Sequence, residues 1–219
     1  MMSSSPSGPK RVSDQVELTN PVNLSVGGMN GHLFRRAIHL AMSALPFIYF
    51  EWGGSIAEAL GTTENQAVSL VIIAILAVEA LRLKLGITIF GQREYEARQV
   101  SALAWGALGI GMVFLLTPTE AYAWPLVLSL SLGDPFMGEL RRKGMESKNV
   151  VIYSSIFIAA IWVACWYWFA TPLWLALIFG PLCVASEWPR LRYIDDNATM
   201  ILIPMAALLI LEPFLKIMP

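Results

Sequence analysis

Seven apolar runs, broken by short polar stretches, leave this chain one kind of secondary structure. They extend from Leu33 to Phe50, Gln66 to about Leu81, Val100 to Leu116, about Thr119 to Leu132, Val150 to Ala170, Pro172 to Ser186 and Ala198 to Leu215. A helix that crosses a bilayer needs about 20 mostly apolar residues, within a range of about 17–25. The runs do not alternate as barrel strands do, and backbone in lipid is satisfied only in a helix or a closed barrel. The expected fold is all-α: a polytopic membrane bundle of about seven transmembrane helices. Hydrophobic residues make up 56% of the chain and charged residues 14%, against about 25% charged in an ordinary soluble domain.

Punctuation fits helices. Thr117-Pro118 ends the third run and Thr171-Pro172 turns the chain between the fifth and sixth. Pro46, Pro125, Pro181 and Pro204 lie inside runs, where a missing N–H and a ring clash kink a helix. Residues 1–30 are rich in Ser, Pro, Gly and Asn with no apolar centre. They are expected to be a disordered cytoplasmic tail, neither signal peptide nor anchor. Residues 31–219 are expected to form one membrane-embedded domain. Cys165 and Cys183 fall inside apolar runs and make no metal or disulfide pattern. A net charge of −1 gives no bulk attraction to nucleic acid, so no such partner is expected. Gly109-Ile110-Gly111 lacks the further glycine of a dinucleotide loop, and no Gly-x-x-x-x-Gly-Lys phosphate loop occurs.

Basic residues set the orientation. With alternate loops on opposite sides, fourteen of the fifteen Lys and Arg residues share the side of the N-terminal tail, and only Lys216 is opposite. Cytoplasmic loops carry the excess of Lys and Arg. The N-terminus is therefore expected in the cytoplasm, the C-terminus outside.

Two acidic motifs fall on that cytoplasmic side, each where an apolar run meets polar sequence: Gly133-Asp134-Pro135 and Ile194-Asp195-Asp196-Asn197. A helix boundary accounts for the first, with Gly ending one helix, Asp capping the next and Pro in its first turn. A site accounts for it too, because Glu139, Arg141, Arg142 and Lys143 follow. Carboxylates bind Mg²⁺, and cations with backbone N–H groups bind phosphate oxygens. In the second motif one cap needs one side chain, and Asp195, Asp196 and Asn197 supply three. Glu79 and Arg82 share a helix face and suit either an ion pair or a site. Arg35 and Arg36 suit interfacial anchoring. His39, one turn deeper, suits hydrogen-bonded packing or catalysis. Glu187 ends the sixth run and suits a surface position or the same cavity as Asp195. All these groups reach one membrane face, where pairing in a wet cavity lowers the cost of a charge in lipid.

The order Arg35-Arg36-x-x-His39, Glu79-x-x-Arg82, Gly133-Asp134-Pro135, then Glu187 and Asp195-Asp196-Asn197 before a final helix resembles the CTP-dependent lipid kinases. Dolichol kinase and phytol kinase are members, with the phosphatidate cytidylyltransferases as relatives. The resemblance runs from about Phe34 to Pro204. It implies a polytopic enzyme that phosphorylates a long isoprenoid alcohol from a nucleoside triphosphate, usually CTP, with Mg²⁺ or another divalent cation. By motif match, Asp134 with Asp195 or Asp196 would be the metal or nucleotide carboxylates. Asn197 is a further metal candidate. Arg141, Arg142, Lys143 and Lys148 are candidates to hold phosphates, with Arg35, Arg36 and Arg82 assisting. Glu139, Glu79 and His39 are the remaining catalytic candidates, one of the carboxylates accepting the alcohol's proton. Members commonly follow Gly-Asp with Lys-Ser-x-Glu-Gly-Ser. Here Lys148 stands in that stretch and the Glu-Gly-Ser part is absent.

Two other functions are compatible with the chain. A cytidylyltransferase forming a CDP-lipid shares membrane, metal and CTP, and differs in releasing pyrophosphate. A transporter or non-enzymatic scaffold also carries intramembrane charge, but predicts charges near the bilayer middle and an inverted repeat. The charges here gather at one end and no repeat is visible.

Overall fold

The computed structural model describes residues 25–117, 119–188, 191 and 193–215. Among them the regular structure is helical, apart from one antiparallel bridge between Ser25 and Arg93. The expected all-α class is therefore the observed one. The helices are α1 (Gly28–Met42), α2 (Gly53–Ala59), α3 (Glu64–Leu85), α4 (Ala102–Leu116), α5 (Glu120–Arg142), α6 (Ser147–Phe169), α7 (Leu175–Glu187) and α8 (Asp196–Leu215). A single turn at Leu45–Phe47 and a π-helical stretch at Ile48–Trp52 join α1 to α2, so the first apolar run breaks near Pro46. The tail boundary expected at residue 30 moves inward. Val26 exchanges backbone hydrogen bonds with Gln92 and Gly91, and α1 starts at Gly28; residues 1–24 lie outside the described residues.

Local chemistry sets the helix ends. Thr63 and Gln66 form a reciprocal capping box that starts α3, and Gly86 in the left-handed region (φ 65°) stops it. Ser101 caps α4 by accepting from Ala104 N–H at 3.2 Å. α4 ends at Leu116, one residue before Thr117-Pro118 as expected. α6 ends at Phe169, before Thr171-Pro172.

The core lies between α5, α6, α7 and α8, with α4 packed on α8 and α1 on α5. Trp162 of α6 stacks on Phe179 of α7 at 4.5 Å and donates its Nε1–H to Ser129 of α5. α6 and α7 approach closely at Gly180, where an added Cβ would sit 2.8 Å from the Ser155 carbonyl and 2.9 Å from the Ala159 methyl. Gly180→Val is expected to push these helices apart and destabilise the fold by about 1–3 kcal/mol, read as a lower thermal unfolding midpoint in detergent. An unchanged midpoint would show that the contact gives way freely.

One boundary expected from the sequence is absent. α5 runs unbroken through Gly133-Asp134-Pro135. Gly133 does not end a helix; its missing Cβ makes room for Met200 and Ile158, whose side chains would lie 2.8 Å and 3.0 Å from such an atom. Asp134 is therefore held on a continuous helix.

Two helices, Ser147–Phe169 with mean hydropathy 2.0 and Asp196–Phe214 with mean hydropathy 1.7, are long and apolar enough to cross a membrane. Ala102–Leu116 and Leu175–Glu187 are apolar but span only 15 and 13 residues. Length and apolarity alone thus support two spans among the described residues, not seven.

Candidate functional site

α1, α5, α7 and α8 bring charged side chains to one end of the bundle. Oxygens of Asp134, Glu187 and Asp196 all lie within 4.8 Å of one another, although they come from three helices. His39 of α1 places Nδ1 3.2 Å from Asp134 Oδ2, close enough for an ion pair but not aligned as a hydrogen bond. Arg141 forks onto both oxygens of Glu187 at 2.7 and 2.8 Å and lies over the Trp188 ring. Such bidentate pairs fix orientation as well as charge.

An all-oxygen donor set suits a hard cation such as Mg²⁺. Asp134 and Asp196 are half-buried and could serve as its ligands; Glu187 is already shared with Arg141. Asn197 sends its amide N–H to the Ala102 carbonyl at 3.4 Å, and its buried Oδ1 has no partner among the described residues. That is an acceptor a cation could satisfy. Asp195 stands outside the trio. Its Oδ1 accepts from the Asn197 N–H at 3.1 Å, as a capping side chain does. Burial, then the adjacent Asp196 carboxyl, push Asp195 well above the usual carboxylate range, which favours a proton on it.

Beside the carboxylates is a cavity of about 60 Å³ lined by His32, Arg35, Arg36, His39, Arg93 and Asp134, among others. Three guanidinium groups around one small space suit phosphate oxygens. Arg35 also donates to Glu96 at 2.9 Å and Arg36 to Glu139 at 2.7 Å, which holds both side chains in place.

Several sequence-derived roles change. Arg82 is 3% exposed and uses all five N–H groups internally: two on Glu79 and one each on the carbonyls of Ile87, Glu96 and Gln99. None is left for a phosphate. Glu79 is occupied by Arg82 and by the Ser101 N–H, so it is no proton acceptor. The pair instead pins the 87–99 loop. Glu139 lies on the polar end of α5 between Arg142 and Arg36; Arg142, then Arg36, hold its carboxyl down to about 2. So weak a base does not draw a proton from an alcohol. Arg142, Lys143 and Lys148 are exposed at the α5–α6 turn, and none of them lines the cavity.

Three residues of this end were missed as functional candidates. Arg93 and His32 line the cavity. Glu96, fully buried, accepts from Arg35, from the Arg93 N–H and from the Ala102 N–H. Arg93 had counted only toward orientation. Its signal, an Arg flanked by Gly91 and Glu96 in a basic loop, becomes visible only when the loop folds back onto α1.

Compared with family models, curated proteins and solved structures, the chain matches none.

Proposed function

We propose that the chain is a polytopic membrane enzyme that transfers a phosphoryl group from a nucleoside triphosphate, CTP by the resemblance of its motifs, to an isoprenoid alcohol at the cytoplasmic face. The observation that carries this is the meeting of Asp134, Glu187 and Asp196 beside a cavity walled by Arg35, Arg36 and Arg93. Acids for a metal and cations for phosphates stand side by side, as phosphoryl transfer requires.

The membrane assignment is supported by the outer surface. Leu177, Tyr167 and Ile210 are 79%, 76% and 70% exposed, and many other large apolar side chains on α3, α6, α7 and α8 face outward with them. Apolar surface of this extent is rare on soluble monomers and natural against lipid. Helices of 13 and 15 residues fit such a bundle because flanking residues reach the interfaces or the bilayer thins locally.

The chemistry is mostly positioning and charge neutralisation. Asp134 and Asp196 would hold a divalent cation such as Mg²⁺, which would supply neutralising charge for the transfer. Arg35, Arg36 and Arg93 bind the phosphate oxygens, and Glu96 and Glu139 fix the first two of these arginines. The alcohol oxygen bonds to the γ-phosphorus while the bond from that phosphorus to the β,γ-bridging oxygen breaks. The electron pair leaves on the nucleoside diphosphate. The hydroxyl proton passes to Nε2 of His39, and the Asp134 carboxylate, 3.2 Å from Nδ1, favours the positive charge that then forms on the ring.

The test is an assay of the purified protein with CTP or ATP, Mg²⁺ and short prenols. A prenyl monophosphate with release of nucleoside diphosphate is expected. Chelation of divalent cations with EDTA is expected to stop turnover and added Mg²⁺ to restore it. Release of pyrophosphate would make the enzyme a cytidylyltransferase, and no nucleotide-dependent product would remove the enzyme proposal.

A further inference from the structure

A second cavity, also about 60 Å³, adjoins the polar one and shares Arg35 and His39 with it. Its other walls are mostly of opposite character, Phe34, Ile38, Ile89, Phe90 and Leu103, with Gly91, Gln92 and the Arg35-paired Glu96 completing them. Phe34 and Phe90 are about half exposed, with ring centroids 5.6 Å apart, and form its outer lip. Ile89 and Leu103 are exposed beside them. Arg35 and His39 thus stand at the border between this apolar space and the polar one that Asp134 lines.

The wall formed by the 87–92 loop is built into the fold. Gly91 lies in the left-handed region (φ 87°), and its N–H donates to the Val26 carbonyl at 3.0 Å. On α1, a Cβ at Gly31 would lie 2.0 Å from that same carbonyl. From the inside, Glu96 and Arg82 hold the loop through the bonds described above. A loop pinned from both sides fixes this wall of the cavity, with Phe90 packed on Phe34.

We infer that this apolar cavity seats the hydroxyl-bearing head of a single-chain isoprenoid alcohol, with the rest of the chain running past Phe34 and Phe90 into lipid. This rests on the phosphotransferase proposal and adds the acceptor's place and shape. Polarity changes from apolar to cationic across Arg35 and His39, so a hydroxyl at that border lies against His39 while its carbons stay dry. A space this small suits one chain head better than a two-chain phosphatidate, whose anionic headgroup would lie against the apolar walls. The groove therefore favours a kinase acceptor over a cytidylyltransferase substrate.

Two experiments test this. The first needs no turnover: a diazirine-bearing geranylgeraniol analogue is photolysed with the wild-type protein in detergent, and labelled peptides are mapped by mass spectrometry. Labelling of Phe34, Phe90 or Leu103, competed by geranylgeraniol and not by dioleoyl phosphatidate, is expected. Labels elsewhere, or stronger competition by the phosphatidate, would overturn the inference. The second is kinetic. Leu103→Trp fills the cavity from its exposed rim and is expected to raise KM for geranylgeraniol by about tenfold or more, with KM for the nucleotide unchanged. An unchanged alcohol KM in a folded Leu103→Trp protein would also overturn it. Failure of the phosphotransferase proposal looks different: the wild type would label at this groove yet transfer no phosphate to any alcohol.

Discussion

Asp134→Asn is expected to lower kcat by on the order of 10³-fold while the protein remains folded. Asn keeps the volume of Asp and one oxygen, but loses the charge that a divalent cation requires. Metal and oriented charge in a dry site are together worth several kcal/mol of transition-state stabilisation. The same change removes the carboxylate charge beside His39 Nδ1, 3.2 Å away. Asp134 is half-buried on the continuous α5 helix and carries no backbone cap, so its replacement costs little stability. The measurement is single-turnover phosphoryl transfer with saturating Mg²⁺, beside a thermal unfolding midpoint for the same sample. Turnover within about threefold of wild type would remove Asp134 from the metal site. Asp195→Asn is expected to do far less, because Asp195 serves the start of α8 and lies outside the carboxylate trio.

Arg82→Met is expected to have the largest effect on stability. It leaves Glu79 buried without its partner and removes the donor from three loop carbonyls, those of Ile87, Glu96 and Gln99. Breaking a buried ion pair by deleting one member costs about 3–5 kcal/mol. Arg82→Lys is expected to fall between, since an ammonium keeps the charge but cannot reproduce the guanidinium fork. Thermal unfolding in detergent orders the three proteins as wild type, Lys, Met from most to least stable. If Met and wild type melt together, the network is not what holds the loop. Because the loop carries Arg93 and Glu96, the Met variant is also expected, on the proposed function, to bind nucleotide more weakly, which a simple loss of core packing elsewhere would not do.

Much of the site was legible in residue types alone. Carboxylates at apolar borders, Asp134, Glu187 and Asp196, were singled out because lipid makes such positions costly, and the fold brings those three together. What could not be read was occupancy. Arg82 and Arg35 look alike as arginines near a helix end, yet one has every N–H bonded inside the protein and the other lines two cavities. That difference depends on where the 87–99 loop travels, which periodicity does not encode. Gly133-Asp134-Pro135 misled for a related reason. Its residues are good helix punctuation, but a close approach by Met200 and Ile158 also demands glycine, and tertiary packing overrode the local preference.

The chain's own composition decided that the fold is helical, where the main breaks fall at Thr117-Pro118 and Thr171-Pro172, and that charge gathers in a few border segments. Those properties follow from single residues and their near neighbours, because hydrogen bonding within a helix and the steric limits of proline are local. Which carboxylates meet, which arginines stay open to a ligand and where an apolar groove joins a polar one were decided by helix packing. Distances between residues far apart in the chain are set by side-chain volumes at the contacts between α1, α5, α7 and α8, and no local rule contains them.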